Sequence, residues 1–332
     1  MKKWFIVLMI LFTSLLTESA EASEFNFAVN FDLPANQIDK QKTYLDLKMA
    51  PGQTQEIDYT LFNHTDDEVT VETLIRSATT NSNGVIEYGD SISKIDESLS
   101  YKMDDLASTD KEITIPAHAT VKKKLRLTAP EKEIAGVTAG GITFQEKPLE
   151  KVNEKKSVGV VNRFSQVKAI LIRNSEKESS PDLVLKKAYA DQNNARNVIA
   201  VNLQNPNAAY MFDLDTKINI YKKGTREPYL TSTREKLSVA PNTNFDLYVP
   251  LDSQKLEPGK YQAVVRGTWK ENSWTLKKDF EIAGSTAKEL NEKDIELKNQ
   301  PDNHYLWWII AGLAIALLIL AIYLTKERRK KK

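Results

Sequence analysis

The chain has 332 residues, with 46 Lys+Arg against 45 Asp+Glu, three His and no Cys. That length accommodates about two domains, each large enough for its own core. The missing Cys excludes a disulfide framework, thiolate metal sites and a Cys nucleophile, and the balanced charge leaves no electrostatic footprint for nucleic acid.

Residues 1–22 combine Lys2 and Lys3 with an apolar run from Trp4 to Leu16 and a small-residue site at Ala20-Glu21-Ala22. This is the layout of a secretory signal peptide, and the apolar run is short for a membrane span.

Period-two alternation dominates the chain from Glu24 onward. Phe25, Phe27, Val29 and Phe31 alternate with polar residues, as do Ile57, Tyr59 and Leu61, and then Val69, Val71, Thr73 and Ile75. Such spacing puts one face of a strand on a core and the other in water. Pro51-Gly52, the polar run from Asn63 to Asp67, and Asn83-Gly84 punctuate the strands with turn chemistry. Ile92, Ile95 and Leu99 predict one short amphipathic turn inserted between strands. Gly140-Gly141, just before Ile142, predicts either a close backbone approach or a bulge. These elements define a first body over 24–174. The strand-like run from Val158 to Ile172 either closes its sheet or opens the next body.

Residues 175–181 read as a linker. A second body spans 182–283, with alternation at Leu214, Thr216, Ile218 and Ile220, at Phe245, Leu247 and Val249, and at Tyr261, Ala263 and Val265. Residues 284–304 are polar and read as a tether. Residues 305–324 carry no charge and are long enough for a transmembrane helix, with Tyr305, Trp307, Trp308 and Tyr323 as interfacial aromatics. The basic tail at 325–332 favours the cytoplasmic side. The predicted fold is all-β: two tandem immunoglobulin-like β-sandwich domains between a signal peptide and one C-terminal transmembrane helix. The predicted location is the cell membrane, single-pass, with the bulk of the chain outside and the C-terminus cytoplasmic.

No catalytic constellation emerges. His64 and His118 sit in turn-like segments and read as solvated loop residues. No His-Glu-x-x-His, phosphate loop or Gly-x-Ser-x-Gly occurs. Asp66-Asp67-Glu68 and Asp213-x-Asp215 lack the ligand density of a calcium loop. The expectation is therefore a non-enzyme with no cofactor, no metal and no catalytic residue. Asn63-His64-Thr65 fits the N-glycosylation pattern, a single match near chance for this length.

Several stretches carry a family resemblance. In the first body these are Phe27-Ala28-Val29 with Pro34-Ala35-Asn36-Gln37, Tyr44-Leu45-Asp46-Leu47 with Ala50-Pro51-Gly52-Gln53, and the run from Thr79 to Tyr88. Ile115-Pro116, Pro130 and Gly136-x-x-x-Gly140-Gly141-Ile142 come later in the same body. The second body adds the run from Ala240 to Phe245, Pro258-Gly259-Lys260-Tyr261, and Trp274 leading to Phe280-x-Ile282. With the signal, span and tail, this order resembles the WxL-interacting cell-surface proteins of low-GC Gram-positive bacteria.

The resemblance implies a peptidoglycan-binding first domain and a host-binding second domain. The implied partners are peptidoglycan, WxL-domain surface proteins and host extracellular-matrix proteins. Candidate ligand contacts are the amides of Asn36, Gln37, Asn81 and Asn83 and the rings of Tyr44 and Tyr88, which suit sugars or peptide stems. Trp274-Thr275-Leu276 spells the partners' own motif once, inside a strand-like run, and reads as core. A membrane-tethered assembly factor or chaperone-like holder for secreted surface proteins is the alternative function.

Overall fold

The computed structural model describes residues 25–89, 94–147, 164–298, 312–315 and 317–319. The expected signal peptide, the basic tail and most of the expected span lie outside those residues. Within 305–324, the stretches 312–315 and 317–319 are helical and expose Leu313, Ile315, Leu317, Leu318 and Ile319. Among the described residues no helix is long and apolar enough to cross a membrane.

The chain opens with strands β1 (Phe27–Phe31), β2 (Leu45–Lys48), β3 (Thr54–Asn63), β4 (Val69–Ser77), β5 (Thr79–Thr80) and β6 (Ile86–Glu87). A one-turn helix α1 (Met103–Leu106) precedes β7 (Ala107–Ser108), β8 (Glu112–Ile115), β9 (Thr120–Thr128), β10 (Thr138–Glu146) and β11 (Ser165–Arg173). Two sheets result, a four-stranded one ordered β1-β3-β9-β7 and a five-stranded one ordered β2-β11-β10-β4-β8. Of the two positions open to the run at 158–172, hydrogen bonding puts β11 in the first body, antiparallel to β10 and parallel to β2.

The alternating residues meet between these sheets. Phe27, Tyr59, Leu61, Leu125, Phe144 and Ile170 are each 0 % exposed. The Tyr59 and Phe144 rings pack edge to face at 5.5 Å. Burying each such side chain contributes about 1.5–3 kcal/mol. The register through Gly140 and Gly141 is unbroken on both sides, so there is no bulge there. Close approach is the reason for both glycines: a Cβ on Gly140 would strike Met103 and the Arg76 carbonyl, and one on Gly141 the Tyr88 carbonyl.

The second body comprises β12 (Val184–Asn193), β13 (Arg196–Asn205), β14 (Met211–Lys222), β15 (Leu230–Val239), β16 (Thr243–Pro250), β17 (Gly259–Trp269) and β18 (Asn272–Ile282). They form sheets ordered β12-β13-β16 and β15-β14-β17-β18 around a core including Leu203, Ile218, Leu247 and Val265. Trp274 and Leu276 are partly buried against that core, as period two predicts. The Trp274 indole N–H also donates to Asp182 at 2.9 Å.

One expectation requires correction. Of the expected tether at 284–304, residues 284–298 are helical as α2 (Gly284–Lys293) and α3 (Ile295–Lys298) and docked, while 299–304 lie outside the described residues. Ala287 enters the second core, and Asn291 exchanges hydrogen bonds with the Leu256 backbone at 2.8 and 2.9 Å. Ile92 lies outside the described residues; Asp96 to Leu99 make a turn, the Leu99 N–H donating to the Asp96 carbonyl at 3.1 Å, and the one-turn helix α1 follows, anchored by the fully buried Met103. In keeping with the chance reading of its glycosylation pattern, Asn63 is 0 % exposed and donates to the carbonyls of Asp67, Ile115 and Pro116, so its amide is not presented as a glycan acceptor.

Candidate functional site

Four of the six candidate residues gather where the two bodies meet. Beyond β4, the chain makes a small hairpin, β5 to β6, that leaves the first body and lies against the second. Asn81 builds its turn: the Asn81 side-chain oxygen accepts from the Asn83 and Val85 N–H groups at 3.0 and 3.1 Å. Gly84 supplies the left-handed residue, with φ +71°. The hairpin is then pinned from the other side. The Ala240 N–H donates to the Thr80 hydroxyl at 2.9 Å, the Thr80 N–H to the Thr243 hydroxyl at 3.2 Å, and the Ser238 N–H to the Gly84 carbonyl at 2.7 Å.

Beneath the hairpin, an apolar cluster crosses the junction. Ala78, Val137, Ala139 and Leu171 meet Ala240, with Tyr44, Tyr88 and Tyr210 packed around them. The Tyr88 hydroxyl donates to that of Tyr210 at 3.3 Å. Burial pushes both phenols above their ordinary range, that of Tyr210 by far the more.

Asp96 is the polar counterpart of that cluster. Though only 5 % exposed, it accepts from Gln204 at 2.8 Å and from Asn244 at 2.6 Å, both on the second body, and from the Ser98 N–H at 2.8 Å. Burial works against its charge, but the hydrogen bonds from Ser98, Gln204 and Asn244 outweigh it and hold the carboxyl below its ordinary value. On the far side, the Val137 N–H donates to the Ala208 carbonyl at 2.8 Å, and Asn207 donates to the Ser180 carbonyl at 2.8 Å, tying down the 175–181 segment.

The remaining two candidates sit apart. Asn36 donates to the Lys48 carbonyl at 2.9 Å and to the Gln55 side chain at 3.0 Å. Gln37 is 5 % exposed; its amide donates to the carbonyls of Asp39 and Tyr44 and accepts from the Asp46 N–H, all at 3.0 Å. Both serve the loop entering β2. Tyr44 and Tyr88 belong to the junction cluster.

Of the six, Asn81 and Asn83 line a groove of about 470 Å³ between the hairpin and the outer face of the β12-β13-β16 sheet. Its other wall holds residues that carry no motif of their own: Tyr189, Asn202, Asp246 and Tyr248. Register explains their meeting. Tyr189 pairs with Ala200, and Ala200 with Tyr248, so the two tyrosines flank one small residue. In the next outward row, Lys187 pairs with Asn202 and Asn202 with Asp246. Asp246 accepts from the Tyr189 hydroxyl and from the Asn202 amide, both at 3.0 Å. Burial and then the Asp246 charge push the Tyr189 phenol well up. The sequence signal was present in β16, where the outward series Asn244, Asp246, Tyr248 sets an amide, an acid and an aromatic ring on one face.

Among the described residues no group of His, Asp and Glu side chains could hold a metal ion. An all-β chain of two packed bodies, with a polar, aromatic groove between them, is a framework for binding. The chain belongs to the WxL Interacting Protein family: residues 27–146 match its peptidoglycan binding domain and residues 155–292 its host binding domain. Both are families of binding domains. The boundary between the two matches falls ahead of β11, although β11 is hydrogen-bonded into the first body.

No curated protein matches the chain. Solved structures similar to it include the YadV chaperone, 10 % identical over 77 % of this chain and 100 % of that one, with a TM-score of 0.28. The class 5 fimbriae chaperone CfaA is 14 % identical over 76 % of this chain and 99 % of that one, with a TM-score of 0.29. The E. coli chaperone DraB is 13 % identical over 77 % and 97 %, again with a TM-score of 0.29.

Proposed function

We propose that this chain is a non-catalytic, membrane-anchored binding protein of a Gram-positive cell surface. The first body binds peptidoglycan; the second engages WxL-domain surface proteins or host matrix proteins. The segment at 1–22 directs export and is removed, 305–324 anchors the chain, and 325–332 remains inside. The consecutive family matches carry this reading, one matched binding domain to most of each body.

The junction supports it physically. Hydrogen bonds through Thr80, Gly84 and Asp96 and an apolar cluster join the bodies, so a wall contact and a protein contact would be held in fixed relation. A transient holder of secreted chains has no comparable need for that relation, which favours the lasting binder over the assembly factor.

The test is retention of purified residues 23–304 on cell-wall sacculi, followed by capture of WxL-domain proteins by the retained chain. Retention with capture supports the reading. No retention above that of an unrelated sandwich protein overturns its first half.

A further inference from the structure

We infer that the groove beside the hairpin is a composite saccharide site, whose aromatic platform belongs to the second body and whose rim belongs to the first. This rests on the reading that the chain binds wall glycan, and it moves the site from one body to the seam between two.

The platform follows from strand geometry. Tyr189 and Tyr248 lie on strands either side of β13, level with Ala200, so their backbones are about 9.5 Å apart. That is the span of two linked pyranose rings. Ala200 is 0 % exposed while both tyrosines remain partly exposed, so the phenols form the surface over it. Aromatic faces of this kind take the C–H faces of sugars.

The polar partner is fixed in advance. Asp246 has each carboxylate oxygen held by one donor, Tyr189 on one and Asn202 on the other, at 3.0 Å. Each oxygen keeps a second lone pair for a hydroxyl of the ligand, and such charge-assisted bonds are the stronger kind. Asn202 is itself only 5 % exposed, which keeps the carboxylate from turning away. The exposed Lys187 amine lies 4.4 Å from the Tyr189 ring centroid. On its flexible stem it can leave the ring to meet a carboxylate of the ligand.

The rim is the Asn81–Gly84 turn. Asn83 is exposed at the groove edge, and the hairpin carrying it is pinned to Ala240 and Thr243. A ligand seated on the tyrosines would therefore meet amides of the first body without either body moving.

The experiment titrates residues 23–304 with chitotetraose by calorimetry, alongside retention on sacculi. Asn83→Trp fills the groove from an exposed position of the first body; Tyr189→Ala with Tyr248→Ala removes the platform on the second. Each is expected to weaken chitotetraose binding about tenfold or more. Phe212→Ala, on an exposed ring outside the groove, should leave it unchanged. If Asn83→Trp and the alanine pair both bind chitotetraose like the unaltered chain, the inference is overturned while the proposed function stands. Retention on sacculi without chitotetraose binding also overturns it, and a chain that binds neither overturns both. Because Asn83 is exposed, its variant remains informative even if the alanine pair fails to fold.

Discussion

Leu237 packs where Gly84 has no side chain. A Cβ on Gly84 would overlap the Leu237 side chain, and φ of +71° there strains any other residue. The hairpin of the first body and β15 of the second are fitted to each other at this one point. Gly84→Ala is expected to cost about 1–3 kcal/mol through overpacking and strain. Chemical denaturation of residues 23–304 measures it; a change below about 0.5 kcal/mol, the range of an ordinary surface substitution, would mean that the two surfaces are not in register.

Because the bodies share an apolar cluster and several hydrogen bonds, the unaltered chain is expected to unfold in one transition. Asp96→Ala leaves Gln204 and Asn244 without their acceptor, a loss of about 1–3 kcal/mol for buried donors. In differential scanning calorimetry this variant should separate the transition into two. A wild-type trace already showing two peaks would contradict the shared junction.

Acid sensitivity should trace to the same carboxylate. The Asp96 pKa is lowered in the folded chain, so the unfolded chain binds the proton first as pH falls. Its contribution is present in full above about pH 5 and disappears progressively below about pH 4. Asp96→Asn should flatten that part of the stability profile, read from denaturation midpoints between pH 3 and 6. An unchanged slope would assign the acid sensitivity elsewhere.

At the alkaline end, Tyr59 contributes alongside other raised phenols, among them Tyr88, Tyr189 and Tyr210. Burial pushes the Tyr59 phenol up to about 12, against the hydrogen bond it shares with the Thr109 hydroxyl at 2.7 Å. The folded chain therefore keeps this proton over a range where the unfolded chain has lost it, and stability falls as pH rises from about 10 to 12. Tyr59→Phe should be less stable near neutrality and show a shallower alkaline decline, the remainder belonging to the other raised phenols. Tyrosinate absorbance at rising pH, with and without Tyr59, checks it.

Strand identity was legible because alternation alone decides which face is wetted: Ile57, Tyr59 and Leu61 are 2 %, 0 % and 0 % exposed. The docking of α2 was not, since Ala287 is its single fully buried residue and a helix so polar reads as a tether. Asn81 and Asn83 are candidates for their amide chemistry, and the turn they build places them on the hairpin that lines the groove. Tyr189, Asn202, Asp246 and Tyr248 escaped notice because they become neighbours only through the register of three strands. Periodicity says which residues face outward on a strand, but not which strands adjoin. Asn36 and Gln37 illustrate the converse: amides that suit a ligand suit a loop equally well, and here they hold the entry to β2.

The parallel pairing of β11 with β2 has a mechanical consequence. Arg173 ends β11 and leads directly toward the second body, so tension arriving from that side runs lengthwise along a strand bonded on both flanks, to β2 and to β10. Ladder bonds lie across the strand direction, so they are loaded together in shear instead of being unzipped one after another. Under a pull between the two bodies, that geometry resists rupture without a disulfide.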